Sequence, residues 1–438
     1  MRDSAGTDAS QKKIGVAGAT AIGIGAMVGG GIFAVLGVAA TKAGGATPIA
    51  FILGGVVAAL TATSYSRLSV AYPSAGGTVA FVDRIFGIRE LTGSLNVTLW
   101  VGYVATTALY ASAFGNYTAT LFPGGTNPSP FLVTALVVTG IAGPWAINLL
   151  NAALIAKTES WIVAFKLIIL AVVIGAGVPA VNTAKLDPGS WKPPAAIIGA
   201  GMLIFVAYEG FELIANASTE VRNPRRTLPR AFGLATGVVI CLYVLVAGVV
   251  VGSLSAAEIT RSAEFSLAQA ASVSLGSVGF KLVAVSAMLA TLSAINATLY
   301  GAARLSFTLA TEGELPSRFE QLTWTQPVGL HITAGTGLAM AVTLPLESIS
   351  AVASAIFLLV FAVVNAAAFR SSGDIGANRW LAATGALACT GSLGVLLLQT
   401  GRNDPAAIAA LAILLLAALG SEHLTLKHLR TQRVLGKH

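Results

Sequence analysis

Two carboxylates flank a glycine in Ala207-Tyr208-Glu209-Gly210-Phe211-Glu212, within an apolar run that starts near Pro194. A carboxylate near the middle of a bilayer helix costs roughly 2.5–3.5 kcal/mol on insertion scales, so it needs a partner, a cavity or a proton. Gly210 lets such a helix open, freeing carbonyls and amides for water or a polar ligand. Glu209 lies beside that opening. Glu212 follows one turn along, on the side of Ala215 and Asn216. Either carboxylate could bind a cationic group, take up a proton or pair with Lys166. The run stops at Asn223-Pro224 among Arg222, Arg225, Arg226 and Arg230, a charge pattern typical of the cytoplasmic end of a span. This stretch reads as a broken helix lining a solute site.

Lys166 is the second candidate. It sits about nine residues into an apolar segment, roughly 13 Å below the surface at helical rise. Desolvation disfavours a buried ammonium, so this amine can titrate near physiological pH. It could carry a proton, act as a fixed cation in place of a metal ion, or cap carbonyls of a broken neighbour. The third candidate is Gly29-Gly30-Gly31, in an apolar segment also containing Gly23 and Gly25. Three consecutive glycines hold a regular helix poorly. The amides exposed at such a break, with the positive end of a half-helix, suit a carboxylate. Close helix packing through Gly25 and Gly29 is the plainer alternative. No strand precedes these glycines, which excludes a dinucleotide fingerprint.

The elements that must position these residues are membrane spans. Of 438 residues, 55% are hydrophobic and 10% charged, and the mean hydropathy is +0.81. Soluble domains carry about 25% charged residues. About twelve apolar segments approach the roughly 20 residues needed to cross a bilayer: 14–40, 46–72, 93–121, 130–150, 158–180, 194–215, 229–253, 277–309, 328–346, 349–369, 379–399 and 405–421. The polar stretch 1–13, followed by an apolar run too long for a signal core, is not expected to act as a cleavable signal. Alternate loops carry few basic residues (Lys42, Lys185, Lys192, Arg261 and Arg402, with Lys281 at a segment edge), and most of the 26 fall on the other side. That asymmetry puts both termini in the cytoplasm. The net charge of +8 follows from the same loops and does not imply nucleic acid. Cys241 and Cys389 lie in apolar segments, so neither a disulfide nor a metal site is expected. No nucleophile–base or metal set stands out, which argues against an enzyme, and no cofactor is expected.

Interrupted first and sixth segments are what a five-plus-five inverted repeat produces, with the site between them at the midplane. The expected architecture is an all-α polytopic membrane protein of 12 transmembrane helices. A tail at 1–13 precedes a first repeat at 14–180 and a second at 194–370. Two extra helices at 379–421 and a tail at 422–438 complete it.

Several stretches resemble the amino acid–polyamine–organocation superfamily, most closely its sodium-independent, proton-coupled amino-acid transporters. Gly25-Ala26-Met27-Val28-Gly29-Gly30-Gly31-Ile32-Phe33 is similar to the first-helix signature. Phe205 to Glu212, running on to Glu220-Val221-Arg222-Asn223-Pro224, is similar to the sixth. The likeness extends to about residue 370. It implies a LeuT-type fold working by alternating access in the cell membrane. It also implies that the substrate carboxylate meets the backbone at Gly29, Gly30 and Gly31, and the amino group meets carbonyls near Phe205, Val206 and Ala207. Lys166, in Val163-Ala164-Phe165-Lys166-Leu167, matches a lysine whose ammonium replaces a sodium ion and exchanges a proton during the cycle. Glu209 departs from the family, standing where relatives are usually apolar at the side-chain pocket. That favours a cationic side chain, an amine or a second proton site. Arg67 also departs, standing where many relatives have glutamate.

The implied function is proton-coupled uptake of amino acids or amines, with the small molecule, protons and the bilayer as partners. An exchanger of cationic amino acids or polyamines is the main alternative, and a membrane sensor that does not transport is a third.

Overall fold

A computed structural model describes residues 14–87, 89–150, 153–324 and 326–434. The N-terminal tail expected at 1–13 and the last four residues lie outside them. The described chain is almost wholly helical: α1 (Val16–Met27), α2 (Gly31–Ala43), α3 (Thr47–Ala71), α4 (Thr78–Phe86), α5 (Arg89–Ala119), α6 (Pro130–Leu150), α7 (Ala153–Gly177), α8 (Pro194–Leu203), α9 (Glu212–Asn216), α10 (Pro224–Ser253), α11 (Ala256–Arg261), α12 (Ser266–Thr311), α13 (Val328–Thr343), α14 (Leu346–Arg370), α15 (Ser372–Ile375), α16 (Arg379–Asn403) and α17 (Pro405–Val434). Leu322–Thr323 and Gln326–Pro327 pair as a short antiparallel ribbon before α13.

Among the described residues, nine helices are long and apolar enough to cross a membrane, or ten if α1 and α2 form one bent span. The chain is an all-α polytopic membrane protein. Each of the twelve apolar segments read from the sequence is helical. α13 and the apolar part of α17, 405–420, are the shorter ones.

Burial sorts the spans. α5 is 94% buried in its apolar window and forms the central post, whereas α6, α7 and α16 are under one third buried. Exposed apolar side chains such as Phe131, Ile168, Leu387 and Leu416 fit lipid tails as the surrounding solvent. α12, α13 and α14 all pack on α5, and α10 packs on α3 and α1.

Four local features reshape these rods. α10 begins at Pro224 rather than at 229, because Asn223 takes a left-handed conformation (φ 52°) and proline suits the first helical position. α12 is two helices joined at a kink: Gly276 (φ 61°, ψ −155°) is non-helical, a conformation that favours glycine. The apolar segment read from 277 begins directly after it, and the stretch from Ser266 forms a shorter arm before it. α17 continues to Val434, through the stretch read as a tail from 422. Finally, Ile14 pairs in parallel with Val221: its amide donates to the Glu220 carbonyl (3.3 Å), and the Arg222 amide donates to the Ile14 carbonyl (2.9 Å).

Candidate functional site

The first and sixth apolar segments are both interrupted. α1 ends at Met27 and α2 starts at Gly31, with a 51° bend between them. The sixth segment leaves α8 at Leu203, runs as a 3-10 helix over Phe205–Phe211, and resumes in α9. A 3-10 turn is narrower and makes poorer hydrogen bonds, so it suits a short interruption.

The two interruptions touch. A methyl on Gly31 would stand 2.9 Å from Cα of Ala207, and one on Gly210 would stand 2.5 Å from both the Ala26 carbonyl carbon and the Met27 nitrogen. A methyl on Gly30 would meet Cδ1 of Tyr110 at 2.5 Å. Only glycine allows these approaches, which is the physical reason for the run in the sequence. Gly29, Gly30 and Gly31 are buried, as is every residue from Phe205 to Phe211. The start of α2 has no side-chain cap. Its first amides therefore point from a buried helix N-terminus, an arrangement that favours an anion.

Side chains from surrounding helices hold the freed backbone. The Tyr243 hydroxyl on α10 donates to the Met27 carbonyl (2.6 Å) and reaches the Ala207 carbonyl (3.2 Å), so one residue grips both breaks. Ser350 and Ser354 on α14 donate to the Leu203 carbonyl at 2.8 and 2.7 Å, and the Val206 amide donates to Ser354 Oγ at 3.0 Å. Tyr208 donates to the Phe51 carbonyl at 2.8 Å. The Lys166 ammonium, 2% exposed, donates to the Gly25 carbonyl at 2.7 Å, just before the first break.

The two glutamates occupy different surroundings. Glu209 accepts from the Tyr110 hydroxyl through Oε1 at 3.2 Å, while its buried Oε2 has no hydrogen-bond partner. Glu212 accepts from Tyr103 at 2.6 Å and from Thr78 at 3.4 Å, and the Thr78 hydroxyl is 2.7 Å from that of Tyr65. Glu212 thus ties α9 to α5 and to the start of α4. Tyrosines, not Lys166, partner both carboxylates.

The structure therefore brings Gly29, Gly30, Gly31, Phe205, Val206, Ala207 and Glu209 to one buried place. Lys166 lies on its α1 side, and Glu212 lies below it in a hydroxyl cluster. Tyr243, Ser350 and Ser354 were not singled out in the sequence.

A second polar cluster lies beyond the spans. Ligand oxygens of Asp83, Glu312 and Glu314 fall within 4.8 Å of one another, and the buried Asn96 amide donates to Asp83 (3.3 Å) and Glu314 (3.0 Å). Burial pushes the Asp83 carboxyl above its ordinary pKa. Burial, with the Asp83 charge behind it, does the same for Glu312.

Comparison with known proteins fits this geometry. The model of the family described as amino acid permease matches residues 14–402. The chain belongs to the amino acid permease family. That places it in the amino acid–polyamine–organocation superfamily, as its first- and sixth-helix motifs imply. The permease is 35% identical over 369 residues to the inner membrane transport protein YbaT of Escherichia coli, covering 84% of this chain and 85% of that one. It is 33% identical over 372 residues to an uncharacterised protein of Methanocaldococcus jannaschii, again covering 84% and 85%. It is 28% identical over 345 residues to the chloroplastic cationic amino acid transporter 9 of Arabidopsis thaliana, covering 74% of the permease and 59% of that chain.

Proposed function

We propose that this permease carries an amino acid or a related amine across the membrane by alternating access, driven by a proton. In this reading the chain makes twelve crossings of the inner membrane with both ends in the cytoplasm. Residues 14–180 and 194–370 form the two halves of a LeuT-type inverted repeat, and 379–421 adds two outer spans. Interruptions at the first and sixth crossings are the feature such a repeat generates.

One observation carries the reading: the buried Lys166 ammonium sits on the Gly25 carbonyl, at the edge of the two touching breaks. In this reading the amine releases its proton when the surroundings change during the cycle. Losing it would also remove a charged donor from the backbone of α1. The substrate carboxylate would take backbone amides at Gly29, Gly30 and Gly31, in the break and at the uncapped start of α2. The amino group would take carbonyls at Phe205, Val206 and Ala207.

A second reading, sodium-independent exchange of cationic amino acids or polyamines, draws on Glu209. Its unpartnered Oε2 offers a buried negative contact next to the break, and one relative is by name a cationic amino acid transporter. Glu209 then binds the substrate's cationic end, whereas in the first reading it also suits a second proton.

The test uses purified protein in liposomes. Lys166→Ala is expected to lose proton-driven accumulation while retaining measurable substrate binding. Undiminished, still pH-dependent uptake by that variant removes Lys166 from coupling. Counterflow that persists without a pH gradient supports exchange, and substrate-driven acidification of the lumen supports symport.

A further inference from the structure

Away from the breaks, a cavity of about 380 Å3 opens between α3, α10 and α16. Its lining runs from Ala59 to Arg67 on α3, from Pro229 to Ile240 on α10, and from Ala377 to Ala382 at the start of α16. Arg67 stands near the end of α3, Pro229 near the start of α10, and Asn378 caps α16. Three helix termini thus meet at one mouth, and the cavity runs inward from it. Eleven residues separate Pro229 from Ile240, about 16 Å at helical rise. One leaflet of a hydrocarbon core about 30 Å thick is nearly that deep.

The wall is mostly apolar, with the hydroxyls of Thr63, Ser64, Ser66 and Thr236 among its lining. A methyl on Gly233 or Gly237 would meet nothing within 4 Å, so α10 presents open space there. At the inner end α3 and α10 close together, where a methyl on Gly55 would stand 2.6 Å from Ile240. The mouth is basic. Arg67 lines it, and Arg230 and Arg379 directly follow the lining residues Pro229 and Asn378. All three are exposed, and the Arg379 guanidinium lies over the Phe369 ring at 4.6 Å. Asp374 is the one acidic residue between 371 and 382, so positive charge is in excess.

We propose that this groove binds an anionic phospholipid from the leaflet on the Arg67 side, with its phosphate at the arginines and one acyl chain along Gly233 and Gly237. The depth matches one leaflet, and the charge matches an anionic headgroup. The proposal is independent of the transported substrate, because none of these residues belongs to the breaks. Its consequence is mechanical: α10 also carries Tyr243, so a lipid wedged against α3 acts on the helix that holds both interruptions.

The experiment measures thermal stabilisation of the delipidated full chain by phosphatidylglycerol, phosphatidylcholine and free glycerol phosphate. Native mass spectrometry counts retained lipid in parallel. Phosphatidylglycerol should raise the melting temperature, and the other two should not. Gly237→Leu fills open space and should leave the lipid-free melting temperature unchanged while abolishing the phosphatidylglycerol effect. Arg67→Gln, which leaves the groove open, should weaken apparent affinity about fivefold, the size of one arginine's attraction to an anionic surface. Equal stabilisation by phosphatidylcholine, stabilisation by glycerol phosphate alone, or an undiminished effect in Arg67→Gln would each overturn the proposal. Should Gly237→Leu fail to fold, the Arg67→Gln measurement decides.

Discussion

Gly30→Ala puts the touching breaks to a direct test. The added methyl would stand 2.5 Å from Cδ1 and 2.9 Å from Cγ of Tyr110, and 3.2 Å from Cγ2 of Thr291. Optimal carbon contacts lie at about 3.5–4.0 Å, so the closest approach is short by about 1 Å. Tyr110 cannot simply rotate away, because it is buried and its hydroxyl holds Glu209. Overpacking of this kind costs about 1–3 kcal/mol. Relief has to come from moving α2 off α5, and that displaces the amides proposed to meet the substrate carboxylate. If the strain falls on the bound state, affinity drops about 5- to 150-fold at 1.4 kcal/mol per decade. Isothermal titration with the best substrate from a thermal-shift screen measures this. Gly335→Ala is the control, since a methyl there meets nothing within 4 Å and should bind as the parent does. A folded Gly30→Ala protein binding within twofold of the parent would refute the close approach and the site built on it.

Tyr243→Phe removes the hydroxyl that donates to the Met27 carbonyl and reaches that of Ala207, a loss of about 1–3 kcal/mol. The expected result is a lower melting temperature and slower transport; unchanged values in both assays would release Tyr243 from any role at the breaks. Glu209→Met should shift competition profiles towards neutral substrates, and an identical profile would take Glu209 out of the pocket. Asp83 and Glu312 both have raised carboxyl pKa values, so the folded state holds their protons more tightly than the unfolded chain. Stability should therefore fall as pH rises through the window just above the ordinary carboxylate range. Glu312→Gln should flatten that slope in thermal-shift measurements, and an unaltered slope would count against the cluster.

Spans and breaks were legible in the sequence for one reason. Apolar length announces a crossing, and polar or glycine residues within it announce an exception. Gly29-Gly30-Gly31, Gly210, Glu209 and Lys166 are all exceptions of this kind. The hydroxyl framework was not legible, because a tyrosine or serine in an apolar helix has no distinctive spacing. Tyr243, Ser350 and Ser354 gain their role only when three-dimensional packing lays them against freed carbonyls. Tyr103 and Tyr110 share one face of α5, a spacing consistent with packing, and their carboxylate partners are about 100 residues away. Helix ends were misjudged where one residue overrides the apolar pattern. Asn223 starts α10 early, whereas the segment read from 277 begins where Gly276 breaks the helix. Arg67 stood out in the sequence only as a departure from its relatives, since a groove between three helices leaves no trace in any one of them.

The pairing of Ile14 with Val221 constrains how such a protein can rock. At one end it stitches the stretch before α1 to the stretch after α9. At the other, Gly210 rests on Ala26 and Met27. Fastened at both extremities, these two short arms would move as one lever in the proposed alternating-access cycle. In the proposed cycle, a swing that uncovers the pocket on that side would have its pivots at residues 29–31 and 205–209. Neither arm can then open like a door on its own; the pair leaves the bundle as a single leaf.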